Sequence, residues 1–380
     1  MLCGLKSVAS TESMPRLCLP RVRLRRGRQA SGRGRGSLNA AATSRWCRRR
    51  QNAAWQWSAD KLSDLNSFFK HPKGAERVIG TYFYPICLFG IPNPTDPYAA
   101  TEVIADVTVD ALHILVTRMS GLFVRLPSSL SDPHQKDFGE SVDDVQAKLA
   151  FEEEAARAFN SIICEFCLRG VVSQPTSPVH ISYAQIIDGH ILIIGAVSGR
   201  EVYWERTSAP ALALLGPQWL SWHIHTESVI EQGTALACSG KLASISTTVP
   251  ELVAGAYSLY SQRQVNEALI DGWIVCEQLL DHRWQEYCAG ITDPSRKERL
   301  GDARTYSAAV RLEVLRIAGV LPEPLYQALH RARDHRNKLA HRARSSLEAA
   351  SDCMNAMKMM LEDVLGQQIE APEVLRGVNW

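Results

Sequence analysis

The sequence predicts an α+β protein in two parts: a mixed N-terminal domain carrying an antiparallel sheet with a covering helix, then an all-α helical bundle. Three observations predict it. Short runs rich in β-branched and aromatic residues crowd the stretch from 78 to 205. Asp188-Gly189 stands between two of these runs, and both residue types tolerate the positive φ that a type I′ hairpin turn demands. After residue 250 the strand signals stop, and apolar residues recur at intervals of three or four, the period of a helix.

Taken in order, residues 1–55 are rich in Arg, Gly, Ser and Ala, include Gly32-Arg33-Gly34-Arg35-Gly36, and predict a disordered arm. The mixed domain follows over 56–249. Its strand-like runs are 78–86, 101–110, 122–126, 179–187, 190–197 and 202–205, with Ser198-Gly199 turning the chain again. Residues 142–168 read as a long helix on the spacing of Val145, Leu149, Ala156, Phe159 and Ile163. That is the covering helix.

The bundle is expected over 250–366. A short helix covers 252–260, and a longer one covers 265–287, where Leu269, Trp273, Cys276, Leu280, Trp284 and Tyr287 make one apolar face. Thr292-Asp293-Pro294 breaks the chain, 304–318 forms the next helix, and Gly319 stops it. Pro322 and Pro324 open a helix that runs to about His341. The last, 345–365, places Leu347, Ala350, Met354, Met357, Leu361 and Val364 on one stripe, and 367–380 form a tail. Each stripe can be buried only against the others, which makes a bundle.

Composition narrows the class. No run of about 18 apolar residues occurs, so no helix is expected to cross a bilayer, and a soluble, cytoplasmic protein without membrane partners is the reading. The total charge of +2 hides a division: residues 1–59 hold Lys6 and twelve arginines against Glu12, a balance of +12, which leaves −10 on the rest. A basic arm of this kind suits phosphate backbones, since each cation placed there releases a counterion. Three readings of it stay open: an RNA-binding tail, an organellar transit peptide, or upstream sequence taken in by an early start. The 10 cysteines lack disulfide-like spacing. Cys164 and Cys167 form a CxxC with no second pair, and read as buried core thiols.

The chemistry concentrates in 329–341, where His330, Arg331, Arg333, Asp334, His335, Arg336, Asn337, Lys338 and His341 turn a core-forming helix polar and cationic. At about 100° per residue Asn337 and His341 share a face, while Arg336 lies about 140° from His341 and must reach round to meet it. This Arg-Asn-x-x-x-His run, between a long helix carrying Trp273 and Trp284 and a closing amphipathic helix, resembles the HEPN family, the higher eukaryote and prokaryote nucleotide-binding helical domains. The resemblance covers only the bundle.

It implies a metal-independent endoribonuclease without cofactor, or a descendant that binds RNA or a partner protein without cutting. The family motif, an Arg usually followed by a polar residue and separated from a His by four to six residues, falls on Arg336, Asn337 and His341, with four residues between. Active members pair two protomers across a shared cleft, so a homodimer is implied, as are toxin or defence roles with an antitoxin or regulatory protein as partner. The residue chemistry agrees. Histidine can move protons near neutrality, and arginine offers a planar fork to two phosphate oxygens. One motif histidine per chain leaves a second proton role vacant, which two copies would fill. The bland alternative is that Arg336 and His341 are late cations complementing the helix dipole.

Around the motif, Arg331, Arg333, His335, Lys338, Arg342 and Arg344 read as a phosphate-attracting rim. Glu277 either orients Arg336 from the long helix or is an ordinary exposed acid. His223, His225 and Glu227 alternate, and a strand would put all three on one face as metal ligands require, though no fourth ligand is near and no metal is assigned. No GxSxG, P-loop or complete GxGxxG in context supports another enzyme class.

Overall fold

The computed structural model describes residues 76–84, 87–90, 101–109, 112–125, 142–193, 223–302 and 305–370. The expected arm, the run at 202–205 and the turn at Ser198-Gly199 lie outside them. All the described residues fall in one compact unit, Lys73–Trp380. The fold is α+β.

Six strands form an antiparallel sheet: β1 (Glu76–Tyr82), β3 (Val103–Val109), β4 (Leu112–Thr117), β5 (Gly121–Arg125), β6 (Ser182–Ile187) and β7 (His190–Ile193), in the order β3-β4-β5-β1-β6-β7. The hairpin at Asp188-Gly189 is present: Ile187 pairs with His190, and the two turn residues have φ of 50° and 79°. Successive side chains point to opposite faces, so the central strands β1, β4 and β5 each serve two apolar clusters. Ile79, Ile114, Leu122 and Val124 face the main core, whereas Val78, Leu115, Phe123 and Ile191 build a second cluster on the other face. Burial on both faces is why these runs read as almost continuously apolar.

Helix α1 (Val142–Cys167) matches the expected covering helix and drives Phe166 against Phe83 and Phe89, with ring centroids 5.0 and 5.9 Å apart. Its first turns depart from expectation. Val145 and Leu149 are exposed; Phe151 is the first described apolar residue of the helix packed against the core, and full burial starts at Ala155.

The run at 78–86 does not continue as one strand: β1 ends at Tyr82, and a separate short β2 (Cys87–Phe89) pairs in parallel with β8 (His223–His225). β4 was not among the expected runs, although Ile114-Leu115-Val116 is strongly β-forming. The run at 179–187 opens with a 3-10 turn at Pro178–His180. Two seven-residue helices, α2 (Ser228–Thr234) and α3 (Ser239–Ile245), are also additions, too short to show a period.

The bundle holds α4 (Val249–Ser261), α5 (Val265–Ala289), α6 (Pro294–Leu300), α7 (Ala308–Ile317), α8 (Glu323–Arg342) and α9 (Leu347–Leu365). The expected breaker at Thr292-Asp293-Pro294 does separate α5 from α6, and it is a helix start as well. Asp293 accepts hydrogen bonds from the Ser295 and Arg296 amides at 2.9 and 3.3 Å, and Pro294 occupies the first turn, where its missing N–H costs nothing. Gly319, at φ 72°, follows α7. α5 lies centrally, packed on α4, α7, α8 and α9. The α9 stripe is buried from Ala350 to Val364, but Leu347 at its start is exposed. One apolar core runs unbroken from the sheet through α1 into these helices.

Candidate functional site

α8 inserts Leu325, Ala328, Leu329, Ala332 and Leu339 into the bundle and leaves its opposite side to solvent. Asn337 and His341 stand on that outer side, about 40° apart by helical geometry and roughly opposite Ala332 and Leu339. Arg336 is also exposed, on one flank. Its Nη1 donates to the Asn337 Oδ1 at 3.4 Å, and no hydrogen bond or ion pair among the described residues joins it to His341. The motif is therefore open to solvent but unassembled.

The end of α8 is held in place by its surroundings. Ala343 takes the left-handed conformation, φ 55°, and its amide donates to the Leu339 carbonyl at 2.8 Å. The Ser345 amide then donates to Asn266 Oδ1 at 2.9 Å, which pins the turn to the start of α5. Ser346 caps α9 by accepting from the Ala349 amide. Neither contact partner of the link was legible beforehand, since Asn266 and Ser345 are far apart in sequence.

The rim residues divide. Arg333 is occupied by its own helix, with Nη2 at 3.2 Å from His330 Nε2 and 3.7 Å from Asp334, while His330 Nδ1 lies 3.5 Å from the same carboxylate. His335 Nε2 meets Asp352 Oδ2 of α9 at 3.0 Å, with both side chains partly shielded. Arg331, Lys338, Arg342 and Arg344 are exposed and form no ion pair with a described residue. Sequence reasoning missed Asp352, which gives no local signal.

Glu277 lies elsewhere. It lines a groove of about 370 Å³ with Ile245, Ser246, Gln278, Asp281 and His282, and no hydrogen bond or ion pair brings it to Arg336. No family model, curated protein or solved structure matches the chain.

The weaker candidates resolve as follows. β8 stops at His225, so Glu227 is not on its face; Glu227 immediately precedes α2, and its carboxylate takes Arg118 Nη1 at 2.8 Å. The His225 ring packs on Phe89. Among the described residues, no group of three or more His, Cys, Asp or Glu is placed to hold a metal ion. Cys164 and Cys167 are fully buried, and burial pushes the Cys167 thiol up to about 12 and raises Cys164 as well, so both stay neutral. No described helix is long and apolar enough to cross a membrane.

Proposed function

We propose that this chain is a metal-independent endoribonuclease of HEPN type, whose site is completed when a second copy brings its own α8 against the first. The observation that carries the reading is the exposure of all three motif residues in the last turns of α8, with Asn337 and His341 on its outer side and Arg336 on a flank. Cleavage would proceed by attack of the ribose 2′-oxygen on the adjacent phosphorus, with departure of the 5′-oxygen. His341 serves one proton transfer, the partner's His341 serves the other, and Arg336 neutralises the charge gathering on the phosphorane oxygens. An exposed helix face cannot exclude water by itself, so the second copy also supplies the wall of the cleft. Cytoplasmic toxin or defence activity, restrained by an antitoxin or regulatory protein, is the setting the resemblance implies.

One observation favours a second reading. Arg336 spends its hydrogen bond on Asn337 and does not reach His341, as suits a non-catalytic HEPN-like scaffold that binds RNA or a protein. Incubating the full chain with mixed RNA, with and without a chelator, separates the two. Cutting that persists under chelation and disappears in His341→Ala supports the enzyme. RNA retained but uncut by both proteins establishes the scaffold.

A further inference from the structure

The polar surface of α8 carries two separate stripes. Asn337 and His341 lie on one, together with His330 and Asp334. The other runs through Arg331, His335, Lys338 and Arg342, which fall within about 60° of one another at about 100° per residue. This second stripe lies on the flank toward α9, because His335 on it reaches Asp352 at 3.0 Å.

Its cations are uncompensated. Arg331, Lys338 and Arg342 are exposed and have no hydrogen bond or ion pair with a described residue. Of the two acids of α8, Glu323 is paired with Arg316, and Asp334 sits on the other stripe and faces His330 and Arg333. On α9, Asp352 is taken by His335, and Glu348 is exposed without reaching the row. With a rise of about 1.5 Å per residue, Arg331 and Lys338 are about 10 Å apart along the axis and Lys338 and Arg342 about 6 Å, with His335 fixed between them. Such a row matches successive phosphates of an extended strand. A lipid surface would need apolar neighbours, and none of the large exposed apolar residues among those described lies on α8. An A-form duplex could meet the row only from its shallow minor-groove side, since its deep, narrow major groove does not admit a helix.

We propose that the stripe of Arg331, His335, Lys338 and Arg342 is a track for the backbone of single-stranded RNA, distinct from the Arg336, Asn337 and His341 motif. It deepens the preceding reading and rests on RNA as the ligand, though not on its cleavage. Arg331, Lys338 and Arg342 bind phosphates, and His335, clasped by Asp352, holds the α8 flank in register with α9.

The test uses the full chain in a His341→Ala background, with fluorescence anisotropy of a labelled oligouridylate and of a short RNA duplex across a salt series. Changing Arg331, Lys338 and Arg342 together to Gln lowers the salt slope for the single strand by about 0.7 per cation, or about 2 in all. The same charge change at Arg296, Lys297 and Arg299 of α6 leaves that slope unaltered. A slope no smaller than that of the α6 control, or an equal loss on the duplex, overturns the track. A native chain that binds in this way but never cuts removes the ribonuclease reading and leaves the track standing. One that cuts with an unchanged slope removes the track alone.

Discussion

Glu165 is wholly buried in α1, yet every side of its carboxylate is used. It accepts the amides of Cys238 and Ser239 at 2.9 and 2.8 Å and receives Arg169 Nη2 at 3.2 Å. Removing it strands two amides and a guanidinium away from water, so Glu165→Ala should cost about 3–5 kcal/mol. Glu165→Gln, which keeps an acceptor, should cost visibly less. Urea unfolding midpoints check both, and equal losses would contradict the pairing. The thiols make a second residue-scale case. Burial pushes Cys87 and Cys167 each up to about 12 from an ordinary 9.0. The folded state therefore holds protons that the unfolded chain gives up, and this contribution is intact below pH 9.0 and lost as pH climbs toward about 12. Denaturant midpoints should fall steadily across that window. Cys87→Ala and Cys167→Ala together should flatten the fall.

Among elements, the hairpin shows what local sequence can specify. Asp188-Gly189 was read from two residues, and the turn follows because Gly189 alone carries no Cβ at φ 79°. A Cβ there meets nothing within 4 Å, so Gly189→Ala isolates the backbone cost, about 1 kcal/mol of lost stability. Gly240 of α3 also has open space around it. Gly240→Ala should stabilise by a similar amount, since alanine favours the helix. Calorimetric shifts of the same sign at both sites would refute this account. The long helices were legible for a comparable reason: α1, α5 and α9 repeat an apolar period over many turns. The parallel β2 and β8 pair and the short α2 and α3 were not. Three residues show no alternation, seven show barely two turns, and their existence depends on partners distant in sequence.

At the scale of the whole molecule, one core joins the sheet, α1 and the bundle, and the polar side of α8 projects from it. The candidate site was legible as composition, since Arg336, Asn337 and His341 stood out in the sequence and all three prove exposed. Its supports were not. The clasp of His335 by Asp352 and the pinning of Ser345 by Asn266 each join different helices, and Glu277, expected beside Arg336, lines a groove elsewhere. Geometry across elements is set by packing, which a period on one helix does not contain. The central claim concerns bond cleavage by the outer face of α8, and end-group analysis of RNA tests it most directly. In chelator, the native chain should leave 2′,3′-cyclic phosphate ends, while Arg336→Ala and His341→Ala leave the RNA intact. Cyclic ends produced equally by all three proteins, or intact RNA with the native chain, would contradict it.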